Sequence, residues 1–173
     1  MQTKKNRPAK PDKKLAAVCG LFCQSCSWFI ATTEEPDRLK LLTAQSDFSK
    51  EEAKCYGCRS DTRIPYCATC KMYSCAAERG IDFCSQCEEY PCDDLKQFQT
   101  AMPHRIELWD NLEQIKTAGY EKWMLGKREK YTCPQCRTIN SAYDLKCRNC
   151  GHEPSCRYVA EHQQEIIQFL RNR

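Results

Sequence analysis

With 173 residues, the chain is long enough for one domain or two small ones. Its sixteen cysteines exclude an ordinary globular composition and leave two explanations, a disulfide framework in a secreted protein or metal binding by thiolates. The formal net charge of +4 does not by itself indicate a nucleic-acid partner, because metal-bound cysteines are thiolates and a full set of them would make the net charge negative.

The N-terminal residues decide between these two explanations. Residues 4–14 are basic and interrupted by proline, and the apolar run before Cys19, LAAV, is too short for the apolar region of a secretory signal peptide. No segment approaches the roughly 18 consecutive apolar residues of a membrane span. We therefore expect a cytoplasmic protein without membrane contact, with reduced thiols that bind metal, and a disordered basic leader over residues 1–14.

Short helical patterns fill the intervals between the first cysteines. Residues 34–48 predict a helix with Pro36 in its first turn, since proline is tolerated there. Ser49 and Glu52 have the spacing of a capping box. A further short helix is expected to end at Gly80.

The sequence becomes helical after Cys92, where the cysteines cease until Cys133. Apolar periodicity predicts helices over residues 93–102, 105–119 and 120–130. The leucine and aromatic stripe in this region is expected to cover the metal clusters. The amphipathic spacing of Val159, Ile166, Ile167 and Leu170 predicts a C-terminal helix.

The last cysteines form a motif of their own, C-x2-C-x10-C-x2-C, made of Cys133, Cys136, Cys147 and Cys150. Two residues between paired cysteines let both sulfurs reach one ion across a tight turn, and two such pairs complete a tetrahedral zinc site. The ten intervening residues are enough for a β-hairpin. The motif therefore predicts a β zinc ribbon, with Cys156 as a small buried residue of the terminal helix.

A larger group of eleven thiols precedes this motif: Cys19, Cys23, Cys26, Cys55, Cys58, Cys67, Cys70, Cys75, Cys84, Cys87 and Cys92. Residues 67–75 and 84–92 repeat one spacing, C-x2-C-x4-C. A triplet of thiols cannot complete a four-ligand site, so these clusters are expected to share ligands and to fold together. The group is one thiol short of three complete sites, and His104 is a candidate for the twelfth ligand; the alternative is an exposed histidine beside a turn.

Two metal assignments remain open, because both zinc and iron bind thiolates. Zinc at every site gives about four ions per chain, three in the larger group and one in the ribbon. Iron–sulfur ligation by some of the eleven thiols is the alternative. The C-x3-C-x2-C spacing of Cys19, Cys23 and Cys26 is also that of radical S-adenosylmethionine enzymes, but the sequence lacks the strand–helix alternation of their barrel.

These elements together resemble a known family, the cysteine-rich domain of unknown function numbered 3795, found in bacteria and archaea. The resemblance covers about residues 18–119 and rests on VCGLFCQSCSWFIAT, CYGC, CATCKMYSCAAERGIDFCSQCEEYPC and PHRIELWDNLEQIKTAG. It implies a metal-binding framework and no particular activity. The family commonly has an acidic residue in its C-G-L-x-C element, where this chain has Phe22, so no carboxylate is expected to assist the first cluster.

The chain is therefore expected to be a small metal-stabilised α+β protein. A cysteine-rich multi-zinc domain with short helices is predicted over residues 15–126, and a zinc ribbon with a C-terminal helix over residues 128–173. The favoured function is a structural-zinc interaction module that contacts a protein, with nucleic acid as another partner class; the alternative is an iron–sulfur or open-site zinc enzyme or redox protein that uses the eleven thiols. Three histidines and no legible Ser-His-Asp or Cys-His arrangement favour the module, and no catalytic residue is assigned.

Overall fold

The computed structural model of the chain describes residues 10–99 and 102–172. This part of the chain consists mostly of short helices joined by tight turns. The helices are, in chain order, α1 (Ser27–Thr33), α2 (Pro36–Ala44), α3 (Pro65–Ala68), α4 (Lys71–Glu78), α5 (Asp93–Gln99), α6 (Leu108–Ala118), α7 (Tyr120–Tyr131), α8 (Arg157–Glu161) and α9 (Gln163–Arg171). Single 3-10 turns lie at Lys13–Leu15, Cys23–Ser25, Cys84–Gln86 and Pro103–Arg105. None of the described helices has the length and apolar character that crossing a membrane requires.

The predicted helices form with shorter bounds. α2 begins at Pro36, whose missing N–H is not needed in the first turn. The capping-box contacts form in both directions, from the Ser49 amide to Glu52 at 2.9 Å and from the Glu52 amide to Ser49 at 3.3 Å. Residues 50–53 nevertheless make only a turn. The expected C-terminal helix is divided at His162 into α8 and α9.

The expected β ribbon in the C-terminal segment is not supported. The described residues contain no β-strand, only isolated bridges such as Thr132 with Ile139. The side chain of Asn140 donates to the Ser155 carbonyl at 3.3 Å and accepts from the Arg148 amide at 3.0 Å. In a strand ladder the Ser155 carbonyl and the Arg148 amide would bond to other backbone groups, but here both are bonded to a side chain. The α+β class is therefore corrected to mostly helical.

An aromatic cluster connects the N-terminal residues with the C-terminal helices. Phe22 meets Trp123 edge to face at 6.2 Å and stacks on Tyr131 at 6.0 Å between ring centroids. Tyr131 in turn stacks on Tyr158 at 4.6 Å. All four rings are buried, and each such pair adds about 0.5–1.5 kcal/mol beyond the burial of apolar area.

A second buried cluster carries the thiols. Leu95 of α5 and Leu108 and Leu112 of α6 are fully buried and pack with Cys19 and Cys23. Three further thiols pack against this cluster from its partly buried edge, namely Cys58, Cys84 and Cys92. The expected covering of the cysteines by the leucine stripe is therefore confirmed for these residues.

The predicted domain boundary near residue 127 falls inside α7. The aromatic cluster contains residues from both sides of it, including Phe22 and Tyr158. Independent folding of residues 15–126 and of residues 128–173 stays a prediction.

The predicted leader, residues 1–14, lies outside the described residues over positions 1–9. Of the remainder, Lys13 belongs to the first 3-10 turn and forms a 2.6 Å ion pair with Asp82. Asp12 caps this turn by accepting a hydrogen bond from the Lys14 amide at 2.9 Å. These contacts attach the end of the leader to the turn that precedes Cys84.

A buried ion cluster joins α6, α7 and the C-terminal helices. Glu107, the residue before α6, accepts hydrogen bonds from Lys127 and Lys130 and lies 2.7 Å from Nε2 of His162. Burial acts to raise the pKa of Glu107, but these three partners outweigh it and lower the pKa to about 2. The stabilisation that the lowered pKa represents is therefore present above the ordinary value of 4.5 and lost as the pH falls toward 2.

Glu107→Gln is expected to lower the free energy of unfolding by about 3–5 kcal/mol at pH 7, because Lys127 would stay buried without a negative partner. Chemical unfolding of the metal-loaded chain measures the difference. Glu161→Gln is the control: its side chain is 45% exposed and contacts Lys130 at 2.5 Å, so a loss of at most about 1 kcal/mol is expected. Equal losses of unfolding free energy in the two variants would contradict the claim that the buried ion pairs of Glu107 contribute more than the exposed pair of Glu161.

Candidate metal centre

The two C-terminal cysteine pairs adopt the same turn. The Arg137 amide donates to the Cys133 carbonyl at 3.1 Å, and the Gly151 amide donates to the Cys147 carbonyl at 2.9 Å. The residue after each pair has a left-handed backbone, with φ of 65° at Arg137 and 75° at Gly151. This matching geometry turns the chain back after the second cysteine, so that both sulfurs of a pair face the same point.

The four sulfurs converge closely enough to hold one metal ion. Cys133 and Cys150 are 3.7 Å apart, and Cys136 and Cys147 are 3.5 Å apart, between sulfur atoms. All four sulfurs lie within 4.8 Å of one another, and all four cysteines are free thiols. A tetrahedral zinc ion with bonds of about 2.3 Å separates its ligands by about 3.8 Å, so the observed spacing fits.

Local hydrogen bonds favour the thiolate form at two of the four cysteines, Cys136 and Cys147. Contacts with Thr138, first through its hydroxyl and then through its backbone, lower the pKa of Cys136 to about 5. Burial acts to raise the pKa of Cys147, but the backbone amides of Cys150 and Asn149 outweigh it and lower the pKa. Thiolates this close repel one another, and a divalent cation among them offsets the repulsion.

Ion pairs dock the loop formed by residues 133–150, hereafter the C-terminal loop, on the first helices. Arg148, which lies inside the second cysteine pair, donates to Glu35 at 2.7 Å and also to Glu34. Arg38 of α2 donates to Asp144 through both terminal nitrogens, at 2.6 and 3.3 Å. Sequence reasoning missed these residues; the one signal was an arginine placed between two ligand cysteines.

The eleven N-terminal thiols form three neighbouring groups. Electrostatic contacts connect the first group, Cys23, Cys26, Cys55 and Cys67, and Cys58 also interacts with Cys23 and Cys67. Cys84 interacts with its group partners Cys75, Cys87 and Cys92. Cys19, Cys58 and Cys70 interact with one another and with members of both groups, so they lie between them. The structure thus brings together thiols that are far apart in sequence, while the sharing of metal ligands among them stays a prediction.

The eleven N-terminal sulfurs lie farther from one another than the four C-terminal sulfurs do. Within residues 10–99 and 102–172, no three of the eleven N-terminal sulfurs lie within 4.8 Å of one another. Burial raises the pKa of Cys67 and Cys84, and neighbouring thiols raise it further, in the case of Cys84 to about 12. Deprotonation of these groups therefore requires bound cations.

His104 contacts other side chains and no thiol group. Its Nδ1 lies 2.5 Å from the Tyr143 hydroxyl, and its Nε2 accepts from Arg105 at 3.3 Å. Burial, and then the charge of Arg105, lower the pKa of His104 to about 3. The proposed role as twelfth ligand is not supported by this arrangement, because both ring nitrogens have partners.

A second group of ligand-type residues is Glu107, Glu161 and His162, whose ligand atoms lie within 4.8 Å of one another. The ammonium groups of Lys127 and Lys130 bond to the same Glu107 carboxylate. Two cations already neutralise this cluster, so it is interpreted as structural.

Comparison with known proteins finds a family match for one part of the chain. Residues 15–97 match the family described as "Protein of unknown function (DUF3795)". This match supports the resemblance, over a shorter range than expected, and its range includes all eleven N-terminal thiols. No family match covers the C-terminal loop. No curated protein and no solved structure matches the chain significantly.

Gly151→Ala tests the left-handed turn of the second pair. The added methyl group meets no atom within 4 Å, so only the backbone at φ 75° is strained, and a loss of about 1–2 kcal/mol is expected. Gly126→Ala is the matched control, because its methyl group also meets open space but its backbone is helical. The control should gain about 0.5–1 kcal/mol. Unfolding of the metal-loaded variants measures both; a gain at Gly151 would contradict the strained turn.

Proposed function

We propose that the protein is a metal-binding interaction module in which the four C-terminal cysteines hold one structural zinc ion. The observation that carries this proposal is the pair of matching turns, which bring four sulfurs within 4.8 Å of one another. A site closed by four thiolates has no open coordination position, so the ion stabilises the structure and does not act as a catalyst.

The zinc ion would act on the rest of the molecule through the C-terminal loop. Arg148 lies between two ligands, Cys147 and Cys150, and only 9% of its side chain is exposed where it meets Glu34 and Glu35. Fixing the two ligands fixes the direction of this arginine. Metal binding thereby holds α1 and α2, which follow Cys26, against the C-terminal loop.

A protein is proposed as the partner in preference to nucleic acid. The cations of the C-terminal loop are paired with carboxylates: Arg137 with Glu129 at 2.7 Å, Lys146 with Glu153 at 3.2 Å, and Arg148 with Glu34 and Glu35. A phosphate-binding surface leaves such cations available to the nucleic acid. A cytoplasmic location is part of the proposal, because sixteen free thiols persist in a reducing compartment.

A second candidate function is favoured by a separate observation on the DUF3795 segment. The spacing of its eleven thiols does not fit single ions, whereas iron–sulfur clusters also use thiolate ligands. An enzyme or redox protein would use these clusters and not the closed C-terminal site.

Cys150→Ser should remove about one zinc ion per chain, because three remaining thiolates bind the ion more weakly. It should also speed amide hydrogen exchange in α1 and α2, since the C-terminal loop would lose its fixed shape. Elemental analysis and hydrogen-exchange mass spectrometry provide the two measurements. Cys156→Ala is the control, because Cys156 is a buried thiol outside the four-sulfur group and should leave the zinc content unchanged. Retention of all zinc in Cys150→Ser would refute the site.

Arg148→Gln separates docking from metal binding. This variant keeps all four thiols and should retain zinc, yet it loses the charged contacts with Glu34 and Glu35 and should speed exchange in α1 and α2. Arg137→Gln is the matched control, since it removes an exposed ion pair with Glu129 within the same loop. Unchanged exchange in Arg148→Gln would show that zinc does not act through this arginine.

A further inference from the structure

The N-terminal cysteine pairs do not adopt the turn of the C-terminal pairs. In both FCQSC and FCSQC a 3-10 turn closes on the second cysteine, through the Cys26 amide to the Cys23 carbonyl at 3.0 Å and the Cys87 amide to the Cys84 carbonyl at 3.1 Å. Among the described residues, Arg137 is the one non-glycine residue with positive φ, so no left-handed residue follows Cys26 or Cys87. The chain enters α1 directly after Cys26.

The described N-terminal sulfurs are spaced too widely for three of them to bind one zinc ion. Two thiolates on one zinc ion lie at most about 4.6 Å apart, twice the bond length of about 2.3 Å. No three of the eleven described N-terminal sulfurs are within 4.8 Å of one another. A polynuclear cluster separates its thiolates further, because each binds a different iron atom.

Direct contacts place the turn that contains Cys55 and Cys58 against the first cysteine pair. The Cys58 amide donates to Sγ of Cys23 at 3.3 Å, which places the 55–58 turn on the first cysteine pair. The Cys55 amide donates to Thr32 of α1 at 2.9 Å, beside the helix that begins after Cys26. The sequence CYGC is therefore fixed against CQSC by its backbone.

The other group of four also shares contacts. Arg79 donates to Sγ of Cys87 at 3.4 Å and also bonds to Cys75, so one guanidinium bridges two thiols of this group. Cys84 and Cys92 pack in the same apolar cluster under Leu95. A cation beside the thiols and an apolar cover are what a buried anionic cluster requires.

Two hydrogen-bond donors beside the thiols lack acceptors within the described residues. They are Nε of Arg63 and the hydroxyl of Ser85. Arg63 interacts electrostatically with Cys55, and Ser85 lies in the turn between Cys84 and Cys87 with 5% of its surface exposed. The sulfides of an iron–sulfur cluster accept such hydrogen bonds, whereas a zinc ion adds no acceptor.

We propose that the DUF3795 segment binds two iron–sulfur clusters, one held by Cys23, Cys26, Cys55 and Cys67 and the other by Cys75, Cys84, Cys87 and Cys92. This proposal deepens the metal-binding function and is independent of the C-terminal zinc site, which uses other thiols. Cys19, Cys58 and Cys70 lie between the two clusters.

Anaerobic isolation of the full chain, with reconstitution by ferrous iron and sulfide, tests the metal. The expected product is brown and contains iron and acid-labile sulfide in near-equal amounts together with about one zinc ion per chain. Iron X-ray absorption should show iron–iron scattering, a measurement that needs no variant. About four zinc ions and no iron, or iron without sulfide, would overturn the proposal. Loss of the C-terminal zinc alone would refute the structural-zinc site and leave this one standing.

Paired substitutions test the grouping. Cys26→Ser and Cys67→Ser should each lose about half of the iron, and the double variant should lose no more than either, because both thiols serve one cluster. Cys26→Ser combined with Cys92→Ser should lose nearly all iron. Cys136→Ser is the matched control, expected to lose zinc and keep iron. Additive losses for Cys26 and Cys67, or equal losses of iron in the control, would refute the two groups.

Discussion

The fold of the N-terminal segment is constrained by thiols that lie in a buried, apolar environment. Cys19 and Cys23 are buried together with three fully buried leucines, and burial is the largest cause of their raised pKa. A thiolate in such surroundings is costly unless a cation is bound to it. The core around these thiols is small, so the proposed metal binding would contribute folding free energy that apolar burial alone does not supply. The position of the leucines over the thiols would then depend on metal binding as much as on hydrophobic packing.

One cysteine spacing produces two different turns in this chain. After Cys136 and Cys150 the backbone is left-handed and the chain turns back. After Cys26 and Cys70 a helix begins, and each of these cysteines is the N-cap residue of that helix. The spacing C-x2-C alone predicts metal binding in both cases, but the backbone that follows the second cysteine differs between them. In the sequence, Gly151 indicates the left-handed turn, whereas Arg137 has the same conformation but does not indicate it.

The sequence patterns correctly predicted features that depend on interactions between residues close in sequence. The helix that begins at Pro36, the apolar spacing of the leucines in α6 and the four-cysteine motif all depend on residues close in sequence. The absence of strands in the described C-terminal loop was not predicted, and the cysteine spacing also gives no sign of the hydrogen bonds that Asn140 makes with Ser155 and Arg148. The docking of Arg148 on Glu35 spans 113 positions of sequence. No periodicity indicates such a contact, since either residue is ordinarily a solvated surface charge.

Phe22 shows how the C-terminal segment is integrated with the DUF3795 segment. The family that this chain resembles commonly has an acidic residue at this position. Here the buried ring of Phe22 contacts Trp123 and Tyr131. A carboxylate at position 22 would lie among aromatic rings, without the hydrogen-bonding partners that a buried charge needs. The family match ends at residue 97, and the two rings paired with Phe22, those of Trp123 and Tyr131, come from beyond it. The aromatic residue at position 22 and the helices that follow residue 107 therefore form one packing arrangement, in which the first cysteine pair is held by the segment that carries the four C-terminal cysteines.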